Sequence, residues 1–453
     1  MARERDLTQG AVLPTLVSFA LPYLGASFLQ ALYGAVDLAV VGQFSGTSAI
    51  SGVNIGSQLM QIVTAFVIGI SMGTTVTLAR HVGEGDEDAS AACVGSSIVV
   101  FGILAVVLTP LLFLGAPMLV GWLQTPTEAF DQAVLYVRIC ACGIPFIVAF
   151  NVVAALLRGL GDSRTPLVFV GVACAVNVTG DLMLVGGLGL GVAGAAIATT
   201  AAQAIASVCG IVYLVRNGLP FRFDRHDVRL AATPTRAVTS VGMPIAAQDT
   251  LINISFILLT VIANERGLVA SSAVGVTEKV ITFMFLVPSA MLSAISALTA
   301  QNVGAGRPGR AVEAVRWGMA ICAVFGACMC GLSQLMPDAI CSVFSTDPAV
   351  VGQAGDYLRS YSIDCMLVSI TFCLNGYLCG TGRSTVTFAH NTLSIFLVRI
   401  PCAVALSRAF PDSLLPMGLA SPLGSVFSIA FLICFLAWDR RRPRRSRDGR
   451  TEG

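Results

Sequence analysis

Charge is scarce in this sequence. Of 453 residues only 11% are Asp, Glu, Lys or Arg, lysine occurs once, at Lys279, and histidine three times, at His81, His226 and His390. A soluble domain is about a quarter charged, so an ordinary water-facing surface cannot be built from this chain and a soluble enzyme does not fit. The 27 basic and 25 acidic residues nearly cancel to +2, which leaves no overall basic field for nucleic acid. Cys-x-x-Cys pairs are also missing. The 14 cysteines lie inside apolar runs such as Ile139-Cys140-Ala-Cys142 and Ala327-Cys328-Met-Cys330, where they act as small hydrophobes. No metal centre other than an alkali cation and no cofactor is expected. The one lysine allows no Gly-Lys-Ser/Thr phosphate loop, and His-Glu-x-x-His does not occur, so a membrane-embedded enzyme is not expected either.

What the chain has instead is hydrocarbon: 55% of its residues are AVILMFWYC. Windows of about 20 apolar residues, the length that crosses a bilayer, occur twelve times. They fall at 16–41, 52–79, 91–114, 130–157, 165–186, 190–215, 238–263, 271–298, 312–336, 354–379, 385–408 and 416–438. The first is too long for a signal-peptide core and contains Asp37, so it reads as a span. An even number of spans puts both termini on one side. Of the 27 basic residues, 21 lie in the loops and tail of that side, against Arg266 and Arg408 on the other. By the positive-inside rule both termini are cytoplasmic and the chain is a multi-pass protein of the cell membrane. The tail Arg440-Arg-Arg-Pro-Arg-Arg-Ser-Arg447 is expected to anchor on anionic lipid.

The chain also repeats itself. Ala79-Arg-His-Val-Gly-Glu-Gly-Asp86 is echoed by Ala300-Gln-Asn-Val-Gly-Ala-Gly-Arg307, Tyr136-Val-Arg138 by Tyr357-Leu-Arg359, and Gly159-Leu-Gly-Asp-Ser163 by Gly380-Thr-Gly-Arg-Ser384. All three matches share one offset, that from Ala79 to Ala300. This predicts an all-α membrane protein of twelve transmembrane helices in two six-helix bundles. Because each half has an even number of spans, the bundles form a parallel repeat about an axis along the membrane normal. The expected division is a lobe over 1–215, a cytoplasmic linker over 216–237, a lobe over 238–438 and a basic cytoplasmic tail over 439–453. Paired bundles of this kind enclose a cavity and transport by rocking or gating.

A carboxylate in hydrocarbon costs about 2.5 to 3.5 kcal/mol, so those inside spans must be compensated or used. In the first span Gln30, Tyr33 and Asp37 share one helix face, and in the fifth Asn177 and Asp181 are one turn apart. Thr199 interrupts the small-residue sixth span. Counted from the outer ends, Asp37, Asp181 and Thr199 lie roughly 6 to 14 Å deep at about 1.5 Å per residue. Two carboxylates, an amide and a hydroxyl at one level suit an alkali cation, and two close carboxylates would equally hold a proton. Either gives a coupling ion, H+ or Na+. Asp249 and Asp364, near mid-span in the second half, are candidates to line the cavity, while Glu278 and Lys279 are expected near the outer interface. Pro22 and Pro244 read as a kink or as a hinge.

Taken together, the segments Tyr33-Gly-Ala-Val-Asp37-Leu-Ala-Val-Val-Gly42, Leu157-Arg-Gly-Leu-Gly-Asp162, Gly191-Val-Ala-Gly-Ala-Ala-Ile-Ala-Thr199 and Ala300-Gln-Asn-Val-Gly-Ala-Gly306 resemble the multidrug and toxic compound extrusion (MATE) family, over about residues 10–438. The resemblance implies a cation-coupled antiporter, not an enzyme, that exports amphipathic, often cationic small molecules. In the DinF-like branch the ion site would fall on Asp37, Asn177, Asp181 and Thr199, the bending proline on Pro22, and cavity residues on Gln30, Tyr33 and Asn151. The seventh-helix acid of the NorM-like branch falls on Ile252, with Asp249 the nearest acid, and Asp364 does not register with that branch's tenth-helix Asp, so no coupling site is carried over to the second half. A monomer in the lipid bilayer, with no nucleic-acid partner, is expected. The rival reading is a flippase for lipid-linked precursors, which calls for a strongly cationic cavity.

Overall fold

A computed structural model describes residues 6–123 and 125–441. The expectations for the tail beyond Arg441 and for the first five residues lie outside the described residues. Among those described no strand occurs. Ten helices are long and apolar enough to cross a membrane: α1 Val12–Phe44, α2 Ser48–Glu84, α3 Glu87–Trp122, α5 Arg164–Gly187, α6 Gly191–Asn217, α7 Ala232–Asn264, α8 Leu268–Gly304, α9 Pro308–Leu335, α11 Ser384–Ala409 and α12 Leu415–Asp439. Two further spans are bent pairs. The α4 pair is Thr127–Cys142 with Ile144–Gly159, bent by 51°, and the α10 pair is Pro348–Tyr361 with Asp364–Gly380, bent by 48°. The twelve spans form two six-helix bundles.

All twelve apolar windows coincide with helices, but the helices overrun the windows. The third window, 91–114, sits inside a helix from Glu87 to Trp122. An apolar window sees only the hydrocarbon, whereas a helix rising about 1.5 Å per residue continues through the headgroup region. The breaks in α4 and α10 leave no mark on hydropathy, because apolar residues continue on both sides. The glycine-rich turn between α5 and α6 is where the sequence put it, with Gly189 at φ +65° and Gly191 at φ +53°, a region open to glycine at little cost.

α1 belongs to both bundles. Leu16, Phe19 and Ala20, before Pro22, pack with Ala294, Leu298 and Ala314 of the second bundle. After it, Ala26 and Leu29 pack against Phe150 and Phe169, and Val40 and Val41 join Val53 and Ile144, all of the first. Pro22, which removes one backbone hydrogen bond from the helix, thus sits where α1 passes from one bundle to the other. The helix runs unbroken through it.

The bundles meet through α2. A Cβ at Gly69 would lie 2.3 Å from the Ala246 Cα of α7, and one at Gly73 2.2 Å from the Val238 carbonyl oxygen. Small residues are what allow two membrane helices to bring their backbones this close. The linker lies against the first bundle: the Ser96 hydroxyl donates to the Arg229 carbonyl at 3.2 Å.

At the same end, the segment before α1 is strapped to the second bundle. Leu7 N–H donates to Gln301 Oε1 at 2.8 Å, Asn302 Nδ2 donates to the Leu7 carbonyl at 3.1 Å, and Arg307 and Arg310 donate to the carbonyls of Thr8 and Gly10 at 2.8 and 2.7 Å. The repeat segment Ala300-Gln-Asn-Val-Gly is therefore a clamp for the chain's own start. Gln301→Ala leaves the Leu7 N–H without its partner, a loss of about 1 kcal/mol. The expected result is several-fold faster maleimide labelling of a Thr8→Cys reporter in the Gln301→Ala protein than in the reporter alone.

Candidate functional site

Four helices of the first bundle converge on the predicted cluster. Asp37 of α1 is 5% exposed, and Asn177 and Asp181 of α5 are fully buried. Asn177 Nδ2 donates to Thr199 Oγ1 of α6 at 3.3 Å, and Thr199 Oγ1 donates to Asp37 Oδ2 at 3.1 Å. Asp181 is the neighbouring carboxyl group of Asp37 in this cluster. One turn toward the terminal face, Gln203 Nε2 donates to the Tyr33 hydroxyl at 3.3 Å. Asp37 with Thr199 and Tyr33 with Gln203 are thus two rungs between antiparallel α1 and α6.

The cluster leaves oxygen unsatisfied. Asp37 Oδ1, Asn177 Oδ1, both carboxyl oxygens of Asp181 and Thr200 Oγ1 are buried without a hydrogen-bond partner. Buried polar atoms are ordinarily paired, because each orphan costs about 1 to 3 kcal/mol. The four orphans on Asp37, Asn177 and Asp181, two of them on one carboxylate, describe a receptacle for a proton or a hard cation. Donors of this kind fit either.

Local backbone structure builds the receptacle. Directly after Asp181 the helix widens into a π turn over Leu182–Gly187, a distortion that recurs at functional sites. The break in α4 at Gly143 falls beside Thr200, whose Cγ2 would lie 2.9 Å from a Cβ there. Tyr136, before that break, is 3% exposed and its hydroxyl approaches Thr199. Tyr136 and Gln203 join the site although sequence reasoning does not assign them to it. Signals for both are present: Tyr136 belongs to a repeated segment, and Gln203 lies one turn from Thr199 as Tyr33 does from Asp37.

The remaining candidates separate. Gln30 and Asn151 line one small cleft with Tyr23, Ser27 and Arg158; Asn151 Nδ2 donates to the Ile147 carbonyl at 2.8 Å. Tyr33 instead turns to α6. Asp249 lies on α7, whereas Asp364, at the start of the second half of α10, lies within the field of Arg399. The structure does not join these two into one site. Glu278 is not the solvated partner of Lys279: its Oε1 accepts from Thr260 Oγ1 at 3.2 Å while Lys279 is exposed. Adjacent helical residues point about 100° apart, so neighbours in sequence take different faces. Arg138 stacks over the Phe113 ring at 5.6 Å.

An apolar cleft of about 420 Å³ in the second bundle has no counterpart among the sequence expectations. Val280, Phe283, Met284, Met329, Met336 and Phe344 line it. Phe283 meets Phe28 of α1 with ring centroids 6.3 Å apart, so the cleft adjoins the contact between bundles.

Known proteins share this sequence and architecture. The chain is 25% identical over 397 residues to the probable multidrug resistance protein YpnP of Bacillus subtilis, covering 87% of this chain and 88% of that one. It is 26% identical over 437 residues to the probable multidrug resistance protein NorM of Thermotoga maritima, covering 94% and 93%. A crystal structure of MATE in complex with MaL6 superposes with a TM-score of 0.90 at 19% identity, over 97% of this chain and 98% of that chain. The MatE family model matches twice, over residues 22–183 and 244–405, so that each copy begins at one of the two paired prolines. The duplicated match spans most of both bundles: the chain belongs to the MatE family and is a multi-pass membrane transporter, not an enzyme.

Proposed function

We propose that this transporter is a DinF-like, cation-coupled multidrug antiporter of the cytoplasmic membrane, a monomer with both termini in the cytoplasm, that exports amphipathic and often cationic compounds. The observation that carries this reading is the group of orphaned oxygens on Asp37, Asn177 and Asp181 beside the Thr199 hydroxyl. Such a group binds an ion more tightly than it binds nothing, and coupling follows if ion and substrate favour opposite states. The close approach of α2 to α7 and α8 at the terminal face describes the state closed to the cytoplasm, from which substrate leaves outward and a proton or sodium ion enters. Pro22, placed where α1 changes bundle, is the point at which ion binding would bend α1. The methionine-lined cleft beside the bundle contact supports a loosely specific apolar substrate, because thioether side chains adapt to many shapes. Multidrug-resistance names among the relatives favour small-molecule export over the flippase reading.

The test is efflux of a fluorescent cationic dye from vesicles under separately imposed proton and sodium gradients. Asp37→Asn removes one carboxylate of the pair while keeping an amide oxygen to accept from the Thr199 hydroxyl, and is expected to reduce gradient-driven efflux at least tenfold. Efflux by this variant at the wild-type rate at every pH and sodium concentration would sink the mechanism.

A further inference from the structure

The second bundle contains a buried polar cluster that the proposed function does not use. Arg399 is the last residue of a π turn, Ile395–Arg399, within α11. Its Nη1 donates to Ser255 Oγ at 3.3 Å, its Nη2 donates to the Tyr361 hydroxyl at 3.0 Å, and its guanidinium carbon lies 4.6 Å from the centre of the Phe256 ring. Two carboxylates, Asp364 and Glu278, feel its charge. Neither is among the direct ion pairs of the described residues. Arg399 Nε and Asp364 Oδ1 are both buried without a hydrogen-bond partner.

This cluster occupies the place in its bundle that the ion receptacle occupies in the other. The repeat offset carries Tyr136 onto Tyr357 and Thr200 onto Ser421, and Ser421 reaches Tyr361 beside Arg399. The fifth helix of each bundle carries a π turn, over Leu182–Gly187 in one and Ile395–Arg399 in the other, and the repeat offset carries Arg399 onto Val178, beside Asn177. In the first bundle that helix presents an amide and a carboxylate, Asn177 and Asp181. In the second it presents a guanidinium.

We propose that Arg399 is a tethered cation. It neutralises Asp364 and Glu278 from within the chain, as an exchangeable ion would neutralise Asp37 and Asp181, so that only the first bundle exchanges ions during transport. The inference rests on the reading of the Asp37 cluster as the coupling site. The geometry asks for arginine and not lysine: a planar fork reaches a hydroxyl on α7 and another on α10 at once while its face lies on Phe256. With a neutral residue in place of Arg399, this cluster would keep its two carboxylates without the guanidinium that faces them, and would become a second receptacle.

The test uses full-length protein purified in detergent, with thermal unfolding as the readout. Arg399→Gln is expected to lower the unfolding temperature by several degrees. Millimolar guanidinium, too dilute to denature, is expected to restore most of that loss in Arg399→Gln and to leave the wild-type protein unchanged. Adding Asp364→Asn to Arg399→Gln removes a charge that needed balancing, so the double variant should recover stability without guanidinium. If Arg399→Gln does not fold at all, the double variant still decides, because recovery is expected only when charge balance is at stake. Equal destabilisation with and without Asp364→Asn, and no response to guanidinium, would make Arg399 a hydrogen-bonding strut and overturn the proposal. Repeating the rescue in an Asp37→Asn background separates the two readings. Rescue there is expected to persist, whereas failure of the coupling-site reading would show as wild-type transport by Asp37→Asn.

Discussion

Asp181→Asn is expected to make the ion-free protein more stable while abolishing gradient-driven transport. Asp181 is fully buried, and neither of its carboxyl oxygens has a hydrogen-bond partner. An ionised carboxylate placed so costs about 2.5 to 3.5 kcal/mol on insertion scales, and an amide of the same shape avoids part of that, a gain of about 1 kcal/mol at alkaline pH. The order reverses when the coupling ion is supplied. An ion present at about 100 times its dissociation constant stabilises the protein that binds it by about 2.7 kcal/mol, and the variant, lacking the charge, forgoes that. Thermal unfolding of the two proteins across a sodium series at alkaline pH should therefore give curves that cross. A variant that is less stable without ion, or that gains as much as the wild type from ion, would show that Asp181 is a structural residue.

Legibility from sequence follows the kind of physics involved. The scarcity of charge forces the membrane reading, and a single repeat offset shared by three segments forces two bundles, because both are properties of composition and order alone. The four residues of the buried polar cluster, Asp37, Asn177, Asp181 and Thr199, are readable because an acid in hydrocarbon is expensive enough to stand out, and because Asn177 and Asp181 share a helix face. Tyr136 is marked in the sequence only by its repeat partner Tyr357, which does not tie it to the cluster. A tyrosine in an apolar span is unremarkable until the break at Gly143 brings α4 against Thr200. The contact of Glu278 with Thr260 is hidden for a related reason: depth counted from a span's end gives a level, while the side of the helix that meets Thr260 is set by packing between helices. The crossing of α1 from one bundle to the other is hidden as well, since Leu16 and Val40 are equally apolar and only the folded chain shows which partner each one meets.

Valine at either Gly83 or Gly304 is expected to reduce transport to background, the largest effect of any substitution remote from the ion cluster. The two glycines are repeat equivalents, related by the same offset as Ala79 and Ala300, and their contacts are reciprocal. A Cβ at Gly83 would lie 2.0 Å from the Gln301 carbonyl oxygen, and one at Gly304 2.2 Å from the Arg80 carbonyl oxygen. Each glycine meets backbone, which cannot swing aside as a long side chain would, so a side chain at either position wedges the bundles apart at the terminal face. Alternating access needs that face to close. Moving a two-state protein from 99:1 to 1:99 takes about 5.5 kcal/mol, and a backbone clash on this scale is of that order when relief requires only that the bundles separate. Both variants should therefore fold and rest open at the terminal face. Cys379 reports on this, since it is 3% exposed and packs with Val76, Val241 and Ala300 between the bundles; its alkylation, followed by mass spectrometry, should rise at least tenfold in both variants. Gly102→Val, at a position with no atom within 4 Å of the added Cβ, is expected to change neither transport nor alkylation. If Gly83→Val is inactive while Gly304→Val transports normally, the closure is not the symmetric contact of two repeated helix ends, and the segment Ala300-Gln-Asn-Val-Gly304 serves only to clamp the start of the chain.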